Sequence, residues 1–481
     1  MRWNWLFLLF GAAVTAYFLT HIEPFPAFHY AIAAVLIVYS LVSLRRASVL
    51  FLITMIIVDD FSKAYDVEIL ESAPVQSLYS LSVAGLTVSS MLIFYFAGAN
   101  LLALLVQKKT AGDRAVGMVA LSPEMKMILT IGAISAFVGL INLTHAPRIF
   151  ISDLGYFINI LLGYTIVRAN AGSPERFTSF FGLVILALMA KVFAVIMDAA
   201  LFSRGQGLMT IMPGSDSYLM SALVLSAIVT LGQTRGVALA KRLGPIAVIV
   251  LTLGYFVLTA ARGRMISGIL SLFIFLYAFK LKHALAYVVL AVISLVALLQ
   301  FMPQEYLGYL SWKLGSFAAS TEGGESALVR VVSLQNILAQ QWDTIYQIFT
   351  GTGMGGYFTS QYYPFPIILT DGAFPDEWVL ADRFYKPHGT LMFLLLKVGL
   401  VGLLAILGTV AWQNFKLLNA LRCDSHSALR VRRVVLVSAS LIFPLMLVNF
   451  SPKLQLLTGA LLGFVYFGRQ WINGSSRTLP R

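Results

Sequence analysis

Cations set into apolar sequence are where this chain could do chemistry. In LTAARGRMISGIL, from Leu258 to Leu270, Arg262 and Arg264 interrupt an otherwise apolar run. Arginine is permanently charged and presents a planar fork of donors, which suits a phosphate or pyrophosphate. Arg204 lies in the glycine-rich SRGQGLMTIMPGSD, Arg330 begins the polar face of a helical segment, and His388 follows Pro387 in KPHGT. The N-terminus of a helix disfavours an imidazolium, so His388 in a first turn stays neutral and able to take a proton from a hydroxyl. Glu322 and Glu325, just ahead of the Arg330 segment, are alternative bases. Plainer roles stand beside these: Arg262 and Arg264 as anchors on lipid phosphates, and His388 as a helix cap.

The elements that must carry these residues are membrane helices. Hydrophobic residues make up 59% of the 481 and charged residues 11%, against about a quarter charged in a soluble protein. The mean hydropathy is +0.84. Apolar runs of about 20 residues recur along the chain, and counting them predicts an all-α, polytopic bundle of about 12–14 spans. Residues 1–302 hold the first eleven and residues 388–481 the last three with a tail. The third run, 47–58, is short, and 25–42 precedes it as a separate span. The first run, 3–20, is expected to be a retained span rather than a cleaved signal, since another span follows at once. The single cysteine and six scattered histidines form no metal-ligand pattern, so no metal or cofactor is expected.

Charge decides orientation. With the N-terminus in the cytoplasm, Arg45, Arg46, Lys108, Lys109, Lys280, Lys282 and Lys416 to Arg433 fall on the cytoplasmic side, while Asp59, Asp60, Glu68 and Glu71 fall opposite. The net charge of +13 is then an orientation signal and not a nucleic-acid footprint. Residues 303–387 form one large loop on the outer side. Within it, 326–349 is amphipathic at helical period: Leu328, Val331, Leu334, Leu338, Trp342, Ile345 and Phe349 share one face, and Arg330, Ser333, Asn336, Gln340, Asp343 and Gln347 the other. The GTGMGG that follows ends the helix. Lys397, Lys191, Asp153 and Asp198 lie inside spans, where an unpaired charge is costly, and Lys397 is expected to pair with Asp153 or Asp198.

Four stretches together resemble the O-antigen ligase and O-antigen polymerase superfamily. TAARGRMI is similar to its Ser-Arg-Gly turn, Arg330 through GTGMGGY to its arginine-bearing loop helix and Gly-x-Gly turn, HGTLMFLLLKVGLVGLL to its histidine helix, and SRGQGLMTIMPGSD to its Arg…Gly…Pro-Asn turn. Ala261, Gly389 and Lys397 depart from the pattern. The resemblance implies a metal-independent glycosyltransferase of the bacterial inner membrane, acting at the outer face as a polysaccharide polymerase or ligase. Its partners would be a polyprenyl-pyrophosphate-linked glycan donor, a glycan or lipid acceptor, membrane lipids and other polysaccharide assembly proteins. Arg204, Arg262 and Arg330, with Arg264 beside them, would hold pyrophosphate, and His388 would serve catalysis. The alternative is a flippase or secondary transporter of a lipid-linked or anionic substrate; the lack of an internal repeat and the lopsided loop favour the enzyme.

Overall fold

The computed structural model describes residues 3–21, 26–58, 78–79, 81–83, 86–111, 121–141, 147–202, 219–233, 240–259, 262–278, 325–365, 374–387, 389–423, 429–448 and 451–475. They are nearly all helical. The first part of the chain supplies α1 (Trp3–His21), α2 (Pro26–Ile57), α3 (Val88–Ala111), α4 (Pro123–Ile141), α5 (Pro147–Asn170) and α6 (Pro174–Phe202). Then come α7 (Ser221–Gln233), α8 (Ala240–Thr259) and α9 (Arg262–Ala278). Helices α10 (Glu325–Asp343), α11 (Tyr346–Thr350) and α12 (Asp376–Leu380) precede α13 (Thr390–Cys423), α14 (Leu429–Val448) and α15 (Pro452–Ser475). Proline opens α2, α4, α5, α6 and α15, the position where its missing N–H costs nothing. Among the described residues five helices are long and apolar enough to cross a membrane: Ala27–Ile57, Pro123–Ile141, Pro147–Asn170, Pro174–Met197 and Thr390–Leu421. With this composition the chain is a helical membrane protein.

The runs expected at 25–42 and 47–58 are the two helical parts of α2, which meet at one extended residue, Ser43 (φ −155°, ψ 90°), just before Arg45 and Arg46. Two other expected spans have different bounds. The span expected from residue 78 begins at Val88. Ahead of it, β1 (Ser82–Val83) and β2 (Leu86–Thr87) pair antiparallel, and the Thr87 hydroxyl accepts the Ser90 N–H at 3.2 Å as an N-cap. The last group starts at Thr390 and runs on to Cys423. The run at 284–302 lies outside the described residues.

The bundle closes around α5 and α15. A side chain at Gly163 would collide with the Leu456 carbonyl, and one at Gly459 with the Ile160 carbonyl. Gly459 and Gly463 form a GxxxG face, which lets two backbones approach directly where apolar lipid gives no hydrophobic drive to association. Buried Lys453, at the start of α15, donates to the carbonyls of Ile56 (3.3 Å) and Val58 (2.5 Å) and so ties down the end of α2. The ends of α2 and α4 and the starts of α3, α5, α13 and α15 therefore gather at one end of the bundle. At the other end Tyr277 OH donates to Asn419 Oδ1 at 2.8 Å, joining the last turns of α9 and α13.

Helix α13 is broken at Gly399 (φ 75°, ψ 171°), a left-handed conformation that glycine alone adopts freely. The break strips the carbonyls before it of their helical partners. Residues of other elements replace them. Gln341 Nε2 donates to Leu395 O at 2.6 Å, the Thr352 N–H to Leu396 O at 2.7 Å, and Ser135 Oγ to Lys397 O at 2.7 Å. The GTGMGG turn is thus wedged between α4 and α13, with Gly351 and Gly353 at φ 64° and 78° and backbone packed on Gly139 and Gly399.

The amphipathic segment is helical over α10 and resumes as α11 after residues 344–345. Ser333, Asn336 and Gln341 turn inward together with Val329, Val332 and Ile337, while Arg330 and Asp343 stay exposed. Asn336 clasps Tyr363 through both backbone groups, at 2.7 Å and 2.9 Å, and Gln340 Nε2 donates to Tyr357 O at 3.1 Å. The apolar face at Val331, Leu334, Leu338, Trp342, Ile345 and Phe349 is exposed, Trp342 by 77%. A helix lying against lipid would have this arrangement.

Replacing Gly459 or Gly163 by leucine is expected to lower the stability of the detergent-solubilised protein by more than about 3 kcal/mol, since backbone blocks the new side chain. Gly182→Ala, which meets open space, should be neutral or slightly stabilising in the same thermal unfolding assay.

Candidate functional site

A cleft of about 440 Å³ opens at the gathered end of the bundle. Its walls are the starts of α3 (Ser90, Ile93, Phe94), α5 (Arg148 to Asn159) and α15 (Pro452, Gln455), closed by Lys386 and Phe393. Two cations from separate elements stand on its rim. Arg148, the second residue of α5, is exposed. Lys386 reaches in from the segment before α13 and donates to Ser152 Oγ at 2.7 Å. Burial pushes the Lys386 pKa down, and the nearby Asp153 carboxylate offsets part of that shift. A docked anion would oppose the same desolvation.

Below the rim lies a buried ion pair. Lys397 Nζ is 2.7 Å from Asp153 Oδ2, with both side chains fully buried. The ammonium also donates to Gly356 O at 2.5 Å and sits 5.8 Å from the Phe393 ring, and Asp153 Oδ2 accepts the Gly355 N–H at 2.8 Å. The expected partner of Lys397 is therefore found, and it is Asp153; the side chain of Asp198 lies outside the described residues. Charge is neutralised where water cannot do it. The pair joins α5, α13 and the GTGMGG turn at one point, which holds the long loop segment on the bundle.

The loop side of the site is a folded unit. Phe358 and Phe384 exchange backbone hydrogen bonds at 3.1 Å and 2.9 Å, with Phe365 and Phe374 packed on the same rings. Asp382 accepts the N–H and hydroxyl of Ser360 at 2.9 Å and 2.7 Å, so this carboxylate is held by structure. Arg383 stacks on Tyr357 with its guanidinium carbon 5.2 Å from the ring centroid. Tyr362 OH donates to Asp343 Oδ2 at 2.5 Å, and that carboxylate pushes the phenol pKa up. These contacts fix the backbone that delivers Lys386 to the cleft.

Most residues singled out from the sequence lie outside this view. Arg204, Glu322 and His388 are outside the described residues, although Pro387 and Gly389 flank His388 directly beside Lys386. Arg262 and Arg264 stand in the first turn of α9 and Glu325 opens α10; their side chains are outside the described residues. Arg330 is exposed on α10 and does not line the cleft. Arg148 was missed. It is a lone cation in HAPRIF, a helix start of ordinary composition, and only its position opposite Lys386 marks it. Among the described residues no group of His, Cys, Asp and Glu is arranged to hold a metal ion.

Compared with protein-family models, with curated proteins and with solved structures, the chain matches none.

The ion pair can be weighed by a double-mutant cycle. Asp153→Asn or Lys397→Met alone leaves one charge stranded and should cost about 3–5 kcal/mol of stability in thermal or denaturant unfolding. The double variant should recover most of that loss, giving a coupling energy well above the ~1 kcal/mol of an exposed pair.

Proposed function

We propose that this chain is a membrane glycosyltransferase that moves a glycan from a polyprenyl-pyrophosphate carrier onto an acceptor, as a polysaccharide polymerase or as a ligase. The observation that carries the reading is the pair of cations, Arg148 and Lys386, on the rim of one cleft that descends between α3, α5 and α15. A lipid-linked pyrophosphate needs cationic donors at the membrane surface, apolar walls for its chain and a polar recess for its sugar, and the cleft offers all three. In this reading the bundle has about 12–14 spans in a bacterial inner membrane, both termini are cytoplasmic, and the gathered end with the 303–387 loop faces outward.

The chemistry follows from the charges. The acceptor hydroxyl oxygen attacks the anomeric carbon, the bond from that carbon to the pyrophosphate oxygen breaks, and the hydroxyl proton passes to the His388 imidazole or to Glu322 or Glu325. Negative charge grows on the leaving pyrophosphate. Arg148 and Lys386, joined by Arg204, Arg262 and Arg264, stabilise that charge without a metal ion, and Arg330, exposed away from the cleft, has no part in it. In this reading the large loop, which supplies Lys386, holds the acceptor glycan and limits attack by water.

The buried Asp153–Lys397 pair favours a second reading. Charged pairs inside spans are also the working parts of ion-coupled transporters, and a flippase of the same lipid-linked substrate would use the same rim cations. Proteoliposomes loaded with lipid-linked glycan separate the two: a new glycosidic bond is the outcome of the enzyme, and movement between leaflets without product is that of the transporter.

In the enzyme assay, Arg148→Ala, Arg262→Ala and His388→Ala, at wild-type membrane levels, are each expected to slow transfer about a hundredfold, or ~3 kcal/mol. Wild-type rates in all three would refute the reading. Lys386 adds a pH signature. Its pKa is lowered, so its charge, and with it the hold on pyrophosphate, is lost as pH rises through a value below the ~10.4 of a free lysine. Lys386→Arg should keep activity flat across that range.

A further inference from the structure

We infer that the floor of the cleft is a subsite for the hydroxyl groups of a neutral sugar, formed by Asp153, Tyr156 and Asn159 on one face of α5; this rests on the reading of the cleft as a site for a lipid-linked glycan. The three residues recur every third position, so their side chains form a row about 9 Å long at 1.5 Å per residue, the reach of a short glycan. All three line the cleft. They are exposed by only 1%, 3% and 3%.

Each offers a polar atom without a hydrogen-bond partner: Asp153 Oδ1, Tyr156 OH and Asn159 Oδ1. A buried polar atom left this way is costly. The neighbouring atoms of the same side chains are used, Asp153 Oδ2 by Lys397 and Gly355, and Asn159 Nδ2 by Gln455 Oε1 at 2.6 Å. Asp153 and Asn159 are therefore held in place, Tyr156 is packed on Phe393, and all three side chains contribute to the lining of the recess. Two of the three free atoms accept only, and the phenol can accept or donate.

Charge selects the class of ligand. Lys397 already neutralises the carboxylate, so the floor has no net charge to attract a metal cation. Its acceptor atoms repel a second anion. What remains is a neutral molecule rich in O–H donors. Phe393 supplies an apolar plane beside the row, its ring 5.5 Å from that of Tyr156, against which the C–H face of a pyranose can pack. Arg148 and Lys386 stand above, at the rim, at the start of the same row. Phosphates at the rim and sugar on the floor is the order in which a carrier-linked glycan presents its groups.

The test uses full-length protein in lipid nanodiscs and two probes: bare undecaprenyl pyrophosphate, and the undecaprenyl-pyrophosphate-linked glycan isolated from cells lacking this protein. Wild type is expected to bind the glycan-bearing probe at least about tenfold more tightly than the bare carrier. Tyr156→Phe, which removes only an unpartnered hydroxyl, and Asn159→Ala should each erase about three- to tenfold of that preference. Neither should change affinity for the bare carrier, and Tyr156→Phe should unfold at the wild-type temperature. Equal wild-type binding of both probes would overturn the sugar subsite and leave the pyrophosphate reading standing. Variants that keep the full preference would also overturn it. Binding of neither probe would remove both.

Discussion

A helix broken inside an apolar bundle cannot leave its carbonyls bare, and the way this chain covers them organises the site. Gly399 interrupts α13, and the carbonyls of Leu395, Leu396 and Lys397 turn to Gln341, Thr352 and Ser135. In lipid such irregular backbone survives only where protein satisfies it. The GTGMGG turn is therefore an inserted part of the bundle. Its glycines allow backbone to meet backbone at Gly139 and Gly399, where any side chain would clash.

Once the turn is seated, the Asp153–Lys397 pair becomes affordable. Lys397 lies two residues before the break, and its ammonium reaches both the α5 carboxylate and the freed Gly356 carbonyl. Either charge alone would be prohibitive at zero exposure. Together with the turn they form a neutral junction of three elements. That junction fixes Asp153, which also contributes to the lining of the cleft. The break thus positions the turn, the turn completes the ion pair, and the ion pair sets the floor of the cavity on which Arg148 and Lys386 look down.

The loop segment adds an outer layer. Asn336, Gln340 and Gln341 spend their amides on the backbone of 351–365 and α13, while Trp342, Ile345 and Phe349 face outward. Val329, Val332 and Ile337 are buried beside those amides, so apolar side chains lie on both sides of the helix. Nearby α4 also exposes Phe137 and Ile141, so the apolar surface is continuous with that of a helix able to cross the membrane. A helix embedded this way holds the loop at the height of the cleft.

The sequence by itself determined the class, several of the helices and the need of one intramembrane lysine for a partner, though not which of Asp153 and Asp198 it takes, because hydropathy and the cost of a lone buried charge are local or nearly local facts. It also named the amphipathic segment and its two faces, but not which face turns inward, since both lipid and protein can receive apolar side chains. The β1–β2 pair before α3 and the break at Gly399 follow from contacts between distant segments, and no periodicity announces them. Arg148, Tyr156 and Asn159 read as ordinary residues of an apolar helix. Only the tertiary structure brings Lys386 to the same rim and sets Tyr156 and Asn159 in the lining of a shared recess, because a cleft is a relation between helix ends that lie far apart in the chain.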